Sequence, residues 1–497
     1  MMTAVRPSSV RENGRVVAVA LVVFGLVVVS FLNYYGMARS ASSSAAIDTE
    51  ALPALHSSSP HHLKTGIIAS SHAGDVNVVP AAHTVIDLQG VHKRSQLYQA
   101  NEDLSQMHIV FSMSCTQGKR RLLQTVFQFS AMAVGQKGPI TQILSGCTDA
   151  EREAVMKEPT FYYDFRRHFT PSYSPHPEPG ITDDYTPYNK PFALRHFLTH
   201  ADPPVNQEMV VLVDADFVWF KPLEVNTGRD ISKYYHGKRD KATVTDTVKD
   251  GYAIAQDWYN YMGAGWFGEG NRPKLEHLCT GKPCINVTQE DAAEYFAGTG
   301  PPYIMTTSDM RRMIDDYSHF VVLGRNLTDD WMVEMYAYAV AAGSHGIKHT
   351  LMNNLGVTHP QFVDGDREHW KFVSDELMNP CTDPYSVVIP EDPPVGVHYC
   401  QKYGFVQDDK SGYHYYKYKI PEDIIECKAP LLKLPPATEW TDAIAIKDSA
   451  KRAQKRHEVW TECSLIKIVN QALLKLKQTT CPTGFNAFQG TELKGNK

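Results

Sequence analysis

Three absences narrow the field. The 497 residues hold nine cysteines but no CxxC pair, which argues against a thiolate zinc site. They carry no basic excess either: 49 Lys and Arg stand against 55 Asp and Glu, a formal charge of −6. Nucleic-acid binding draws on counterions released by a basic surface, so no nucleic-acid partner is expected. His345 and His349 are spaced as an HExxH pair would be, but no acid follows His345. They therefore read as structural histidines rather than a metal pair.

What is present begins at the amino end. Arg6, Arg11 and Arg15 precede an apolar run from Val16 to Leu32, with Tyr34 and Tyr35 just beyond it. The run is at the short end of what spans a bilayer of about 30 Å. It is longer than the h-region of a cleaved signal peptide, the competing reading, for which Ala38 and the small residues 40–46 supply a cleavage site. The expected layout is a cytoplasmic tail (1–15), a transmembrane signal anchor (16–37) and a lumenal stem (38–105) rich in Ala, Ser, His and Pro. A catalytic domain (106–448) and a Lys-rich C-terminal tail (449–497) follow. This makes a single-pass type II protein of the Golgi or ER membrane. The acceptor triplets Asn286-Val287-Thr288 and Asn326-Leu327-Thr328 suit a lumenal face. Cys279 and Cys284 are close enough to close a small loop, and the odd cysteine total leaves at least one without a partner in the chain.

From His108 onward, short apolar runs alternate with segments of helical spacing. Strands are expected at 108–112 and 140–144, and helices at 119–134, 188–200 and 331–342. The run Glu208 to Val213 is almost wholly apolar and ends in Asp214-Ala215-Asp216. Uninterrupted apolar strands are typical of mostly parallel sheets covered on both faces. The fold class is thus α/β. Two carboxylates one residue apart, where such a strand gives way to a loop, are placed to hold Mn²⁺, or else Mg²⁺, against a diphosphate. Phe217 to Leu223 continue the apolar character and are expected to pack the fold.

Several ordered blocks resemble the hydroxyproline O-arabinosyltransferase family of plants and green algae, together with the related peptidyl-serine galactosyltransferases. They are 188–193 (Tyr188, Asn189, Lys190, Pro191, Phe192, Ala193), 298–304 leading into 309–313, 331–340 followed by His345-Gly346, and 396–400. The resemblance covers roughly His108 to Tyr418. The family's metal motif typically reads Glu-Pro-Asp-His; here Asp214 and Asp216 keep the acids while Phe217 replaces the histidine.

The resemblance implies a GT-A-like nucleotide-sugar fold. It also implies a metal-dependent transfer of arabinose from a UDP-sugar to peptidyl hydroxyproline of secreted or cell-wall glycoproteins. The sister activity, galactose to peptidyl serine, and an inactive lumenal binding protein are the alternatives. Asp214, Asp216 and His398 are expected to hold the metal, with Asp216 also counted as catalytic. Asn189 and Lys190 would face the donor. Glu334, a carboxylate in an otherwise nearly uncharged helix, is expected to handle the acceptor proton, with pairing to a structural Arg or Lys, or binding of the donor sugar's hydroxyls, as the alternatives. Asp257 and the glycine-rich 298–302 segment are candidates for a ligand-facing loop, and Asp329 and Asp330 for helix capping. The partners are then the donor, a hydroxyproline-rich or serine-rich peptide, and the membrane; a homodimer is left open.

Overall fold

The apolar run at His108 forms the first strand of a seven-stranded sheet in the computed structural model, which describes residues 78–79, 106–360, 368–404 and 415–493. The tail and anchor, and the stem apart from Val78, Val79, lie outside the described residues. Among the described residues no helix is long and apolar enough to cross a membrane.

In chain order the elements are β1 (Met107–Ser114), α1 (Arg120–Val134), β2 (Ile140–Ser145), α2 (Asp149–Met156) and β3 (Phe165–Thr170). Then come α3 (Asn189–His200), β4 (Met209–Leu212), β5 (Phe217–Trp219) and β6 (Tyr252–Asp257). They are followed by β7 (Thr299–Thr306), α4 (Thr307–Leu327), α5 (Val333–Ser344) and β8 (Lys348–Met352). The main sheet runs β3-β2-β1-β4-β7-β6-β8. β3, β2, β1 and β4 are mutually parallel, as are β6 and β8, while β7 is antiparallel to both its neighbours. This is the expected α/β fold with a mostly parallel sheet. Ile109, Val110 and Phe111 are fully buried, as are Val210, Val211 and Leu212. Strands covered on both faces have no polar side to present, hence the unbroken apolar runs.

A second, small sheet sets the position of the acidic pair. β9 (Gly356–Val357), β10 (Gly396–His398) and β5 lie side by side, with β10 antiparallel to β5. Gly396 faces Trp219, Val397 faces Val218 and His398 faces Phe217. A Cβ on Gly396 would stand 2.2 Å from the Val218 carbonyl oxygen and 2.3 Å from the Phe217 ring, so only glycine lets these strands close.

Two segments differ from expectation. Residues 299–302 are not a loop open to ligand but the start of β7, deep in the sheet. Gly300 leaves room for the Trp258 indole, which a Cβ would meet at 2.5 Å, so the close approach is to the protein itself. Nor is 449–497 an accessory tail. Ser449–Thr480 forms one helix, α6, whose Val459, Trp460, Leu465, Val469 and Leu473 are buried in the main core. Trp460 meets Phe220 and Phe372 edge-on at 5.5 and 5.0 Å between centroids. Cys381–Cys463 and Cys427–Cys481 bolt α6 to the rest of the chain. Cys115–Cys147 joins the ends of β1 and β2, Cys279–Cys284 closes the expected small loop, and Cys400 is the free cysteine. Both glycosylation triplets present an exposed asparagine.

Two outcomes follow. A chain ended at residue 448 is expected not to fold. Each large apolar side chain buried by α6 is worth about 1.5–3 kcal/mol, so a handful is comparable to a typical net stability of about 5–15 kcal/mol. Circular dichroism and urea titration of the truncated chain check this.

The second concerns Glu368, whose carboxylate accepts from the Thr358 N–H at 2.8 Å, the Thr358 hydroxyl and Trp370 Nε1 at 2.9 Å. Burial raises its pKa to about 7 even so. The unfolded carboxyl titrates near 4.3, so between about pH 4.3 and 7 only the native state keeps the proton, and stability falls as pH rises. The stability difference between wild type and Glu368→Gln, followed by urea midpoints, should change across that window and level off on either side.

Candidate active site

Asp214 and Asp216 stand just past the carboxyl end of β4, where ligands of α/β sheets gather. Ala215 and Asp216 are buried, while Asp214 remains partly exposed. The β5–β10 register continues one step further, with the Tyr399 N–H donating to the Asp216 carbonyl at 3.0 Å. His398 is thereby aimed at the acids: its Nε2 lies 3.1 Å from Asp216 Oδ1 and 3.5 Å from Asp214 Oδ2. The Trp258 indole lies flat against the imidazole, with centroids 5.0 Å apart and planes 7° off parallel. Its Nε1 donates to the Gly356 carbonyl at 3.3 Å, so the plate is itself held.

Lys190, in the first turn of α3, reaches across to two elements. Its Nζ is 2.7 Å from Asp214 Oδ1 and 3.1 Å from Glu334 Oε2. Glu334 Oε1 accepts from the Tyr317 hydroxyl, and the Glu334 backbone N–H donates to the Tyr185 hydroxyl at 3.1 Å. Burial raises the pKa of Glu334, with Lys190 opposing. Burial also disfavours the Lys190 ammonium, but Asp214 and Glu334 together lift its pKa above the ordinary value. The proton therefore stays on the lysine, which serves two carboxylates at once. Glu334 joins the expected site but has both oxygens engaged, so it is arranged to position Lys190 rather than to meet an acceptor hydroxyl. Asn189 is also redirected. Its side chain accepts from the Tyr173 N–H at 2.9 Å and donates to the Thr186 carbonyl at 3.2 Å, fixing the entry to α3 instead of facing a donor.

Sequence reading missed Lys417. Its buried ammonium sits on Asp216 Oδ2, 201 residues away along the chain. The only local cue is a lysine among tyrosines, Tyr415-Tyr416-Lys417-Tyr418, at the far limit of the resemblance. Burial opposes the charge on Asp216, but Lys417 and His398 hold its pKa far below the carboxylate range. Burial likewise opposes the imidazolium, yet Cys400 and Asp216 hold the His398 pKa well above its usual value.

The donor set of Asp214, Asp216 and His398, two carboxylates and an imidazole meeting within 3.5 Å, suits a divalent cation such as Mn²⁺. Among the described residues, however, no three His, Cys, Asp or Glu side chains surround a common cation position. All four carboxylate oxygens of the pair already face a basic group: Lys190, His398 twice, and Lys417.

The remaining candidates are structural. Asp257 is buried and accepts from the Tyr259 N–H at 3.0 Å, and Asp330 accepts from the Met332 N–H at 2.9 Å ahead of α5. His345 pairs with Asp316 at 3.0 Å and His349 with the Tyr338 hydroxyl at 3.0 Å, so they form no metal pair. Phe217 packs in the core, as expected.

No family model matches the chain. It is 28% identical over 271 residues to a peptidyl serine alpha-galactosyltransferase of Arabidopsis thaliana, covering 52% of this chain and 28% of that protein. It is 26% identical over 242 residues to the hydroxyproline O-arabinosyltransferase PLENTY of Lotus japonicus, covering 45% of this chain and 50% of that one. The chain is similar to glycosyltransferases named for serine and hydroxyproline. The resemblance read from the sequence blocks is thereby borne out, over about half of this chain; the matches span half or less of the relatives' own length. Among solved structures, the galactosyltransferase LgtC with donor and acceptor sugar analogs aligns with a TM-score of 0.33 at 13% identity, over 59% of this chain and 87% of that one. An active-site mutant of LgtC aligns with the same TM-score at 12% identity, over 59% and 88%.

Removing Lys190 leaves Asp214 and Glu334 without their shared cation. Lys190→Met is expected to cost about 3–5 kcal/mol, the range for breaking a buried ion pair. Adding Glu334→Gln to Lys190→Met should recover part of that loss. Urea unfolding of the two single variants and the double variant measures the coupling.

Proposed function

We propose that this chain is a lumenal glycosyltransferase of GT-A-like fold that moves a sugar from a UDP-sugar to a peptide hydroxyl, with arabinose and hydroxyproline as first choice. The observation that carries the reading is the meeting of Asp214, Asp216 and His398, flanked by Lys190 and Lys417, at the carboxyl end of β4. The four disulfides favour an oxidising compartment, and the two exposed acceptor asparagines suit the secretory pathway. With the apolar run from Val16 to Leu32 they support the proposed Golgi or ER placement.

In this reading Asp214, Asp216 and His398 are the residues that would hold Mn²⁺. Such an ion, when bound, neutralises charge on a departing diphosphate. The chain's own part is to place fixed charges where the diphosphate develops negative charge. Lys190 supplies one of them, held in register by Glu334 and, through that residue, by Tyr317 and Tyr185. Trp258 keeps the His398 ring from turning away from the acids. Sugar transfer to serine from UDP-galactose is the second reading, favoured by the Arabidopsis relative, whose identity and matched length are the greater of the two.

The deciding experiment is a donor screen. The full-length chain is incubated with Mn²⁺, a panel of UDP-sugars, and hydroxyproline-rich and serine-rich peptides, and peptide mass is read. A pentose on the hydroxyproline peptide is expected, reduced at least roughly 100-fold in the Asp214→Ala/Asp216→Ala double variant. A hexose on the serine peptide selects the second reading. Absence of transfer from every donor tried sinks both.

A further inference from the structure

We infer that Lys417 and a divalent cation compete for Asp216, so that Lys417 gates the cation-binding form of the site. The inference rests on the reading of Asp214, Asp216 and His398 as cation ligands. Three observations lead to it. First, the acidic pair has no idle oxygen: Asp214 faces Lys190 and His398, and Asp216 faces His398 and Lys417. A dication needs direct access to carboxylate lone pairs, and an ammonium on the same carboxylate both blocks that access and repels the ion.

Second, the groups on the pair are not equally free to leave. His398 belongs to the donor set, which it joins by giving up its proton. Lys190 is tied to Glu334 as well as to Asp214, so it stays anchored if Asp214 turns to an ion. Lys417 has no second carboxylate among its ion pairs in the described residues; Asp216 is its one ion-pair partner there. Third, Lys417 has somewhere to go. Its Nζ already lies 4.9 Å from the centroid of the Tyr418 ring, and Tyr418 is 60% exposed. An aromatic face stabilises an ammonium, so a short swing exchanges the buried carboxylate for a half-solvated perch.

Buried Asp216 requires a counter-charge at all times, since a lone carboxylate at that depth is strongly disfavoured. Lys417 provides it until a cation does.

The test is Mn²⁺ binding to the full chain without donor, read by the EPR signal of the free ion, in wild type, Lys417→Met and Asp216→Asn. Lys417→Met is expected to bind Mn²⁺ at least about 10-fold more tightly than wild type, and Asp216→Asn more weakly than either. A Lys417→Met protein with native circular dichroism that binds Mn²⁺ no better than wild type overturns the inference. Should that variant not fold, the wild type still decides. Amine-reactive labelling of Lys417, followed by peptide mass, must rise on adding Mn²⁺; labelling that does not respond overturns the gate. Binding by neither protein rejects the gate together with the cation ligands. Transfer in the donor screen still reports separately on the glycosyltransferase reading.

Discussion

A line of alternating charge runs through the molecule, from Glu334 to Lys190, Asp214, His398, Asp216 and Lys417. Only Asp214 and Lys190 keep appreciable contact with solvent, at 22% and 17% of their side chains. Charges this deep are tolerated only in company. The six groups come from five parts of the chain: α5, the start of α3, the end of β4 (both aspartates), β10 and the turn at 417–419. No member is stable in its place unless the neighbouring element has arrived. The line therefore acts as a constraint on assembly as well as a feature of the site.

The surrounding fold meets that constraint with rigid contacts. Gly396 lets β10 close on β5, which fixes the height of His398 beside Asp216. Gly300 admits Trp258, which fixes the plane of the ring. Just past β5, Phe220 leans with Phe372 on Trp460 of α6, and two disulfides secure that helix. The carboxy-terminal helix thus supports the sheet whose register brings His398 to the acids, although it contributes none of the six charged groups.

Much of this was legible in the chain. Periodicity located the strands from 108 and 140 and the helices near 119–134, 188–200 and 331–342, because their burial is one-sided or complete over whole elements. The apolar run into Asp214 and Asp216 marked the site, and the resemblance picked out Lys190, Glu334 and His398. What escaped was long-range. Little beyond its tyrosine neighbours distinguishes Lys417 from a surface lysine, since its partner is 201 residues away. Residues 449–497, with only a weak helical pattern near Leu465 to Leu476, read as an accessory tail because of their lysines. Two of these, Lys467 and Lys477, are buried by their stems and donate to the Ser386 and Ala429 carbonyls. A helix buried on most sides also has no clear apolar stripe to detect. The Asn189 amide is engaged by backbone groups at Tyr173 and Thr186, long-range partners that periodicity does not reveal.

Charge counting joins these observations to the proposed chemistry. Three carboxyl groups face three basic groups, so the closed site is near balance before any ligand arrives. A dication entering alone would add two positive charges to that balance, and a diphosphate entering alone would add two negative ones. In a site of low effective dielectric either excess is costly. Entering together, they add no net charge, and each can take over contacts the protein had closed on itself. Charge balance thus favours joint binding of cation and nucleotide-sugar. A lysine on Asp216 makes that preference stronger, because it opposes the cation specifically while the diphosphate is absent.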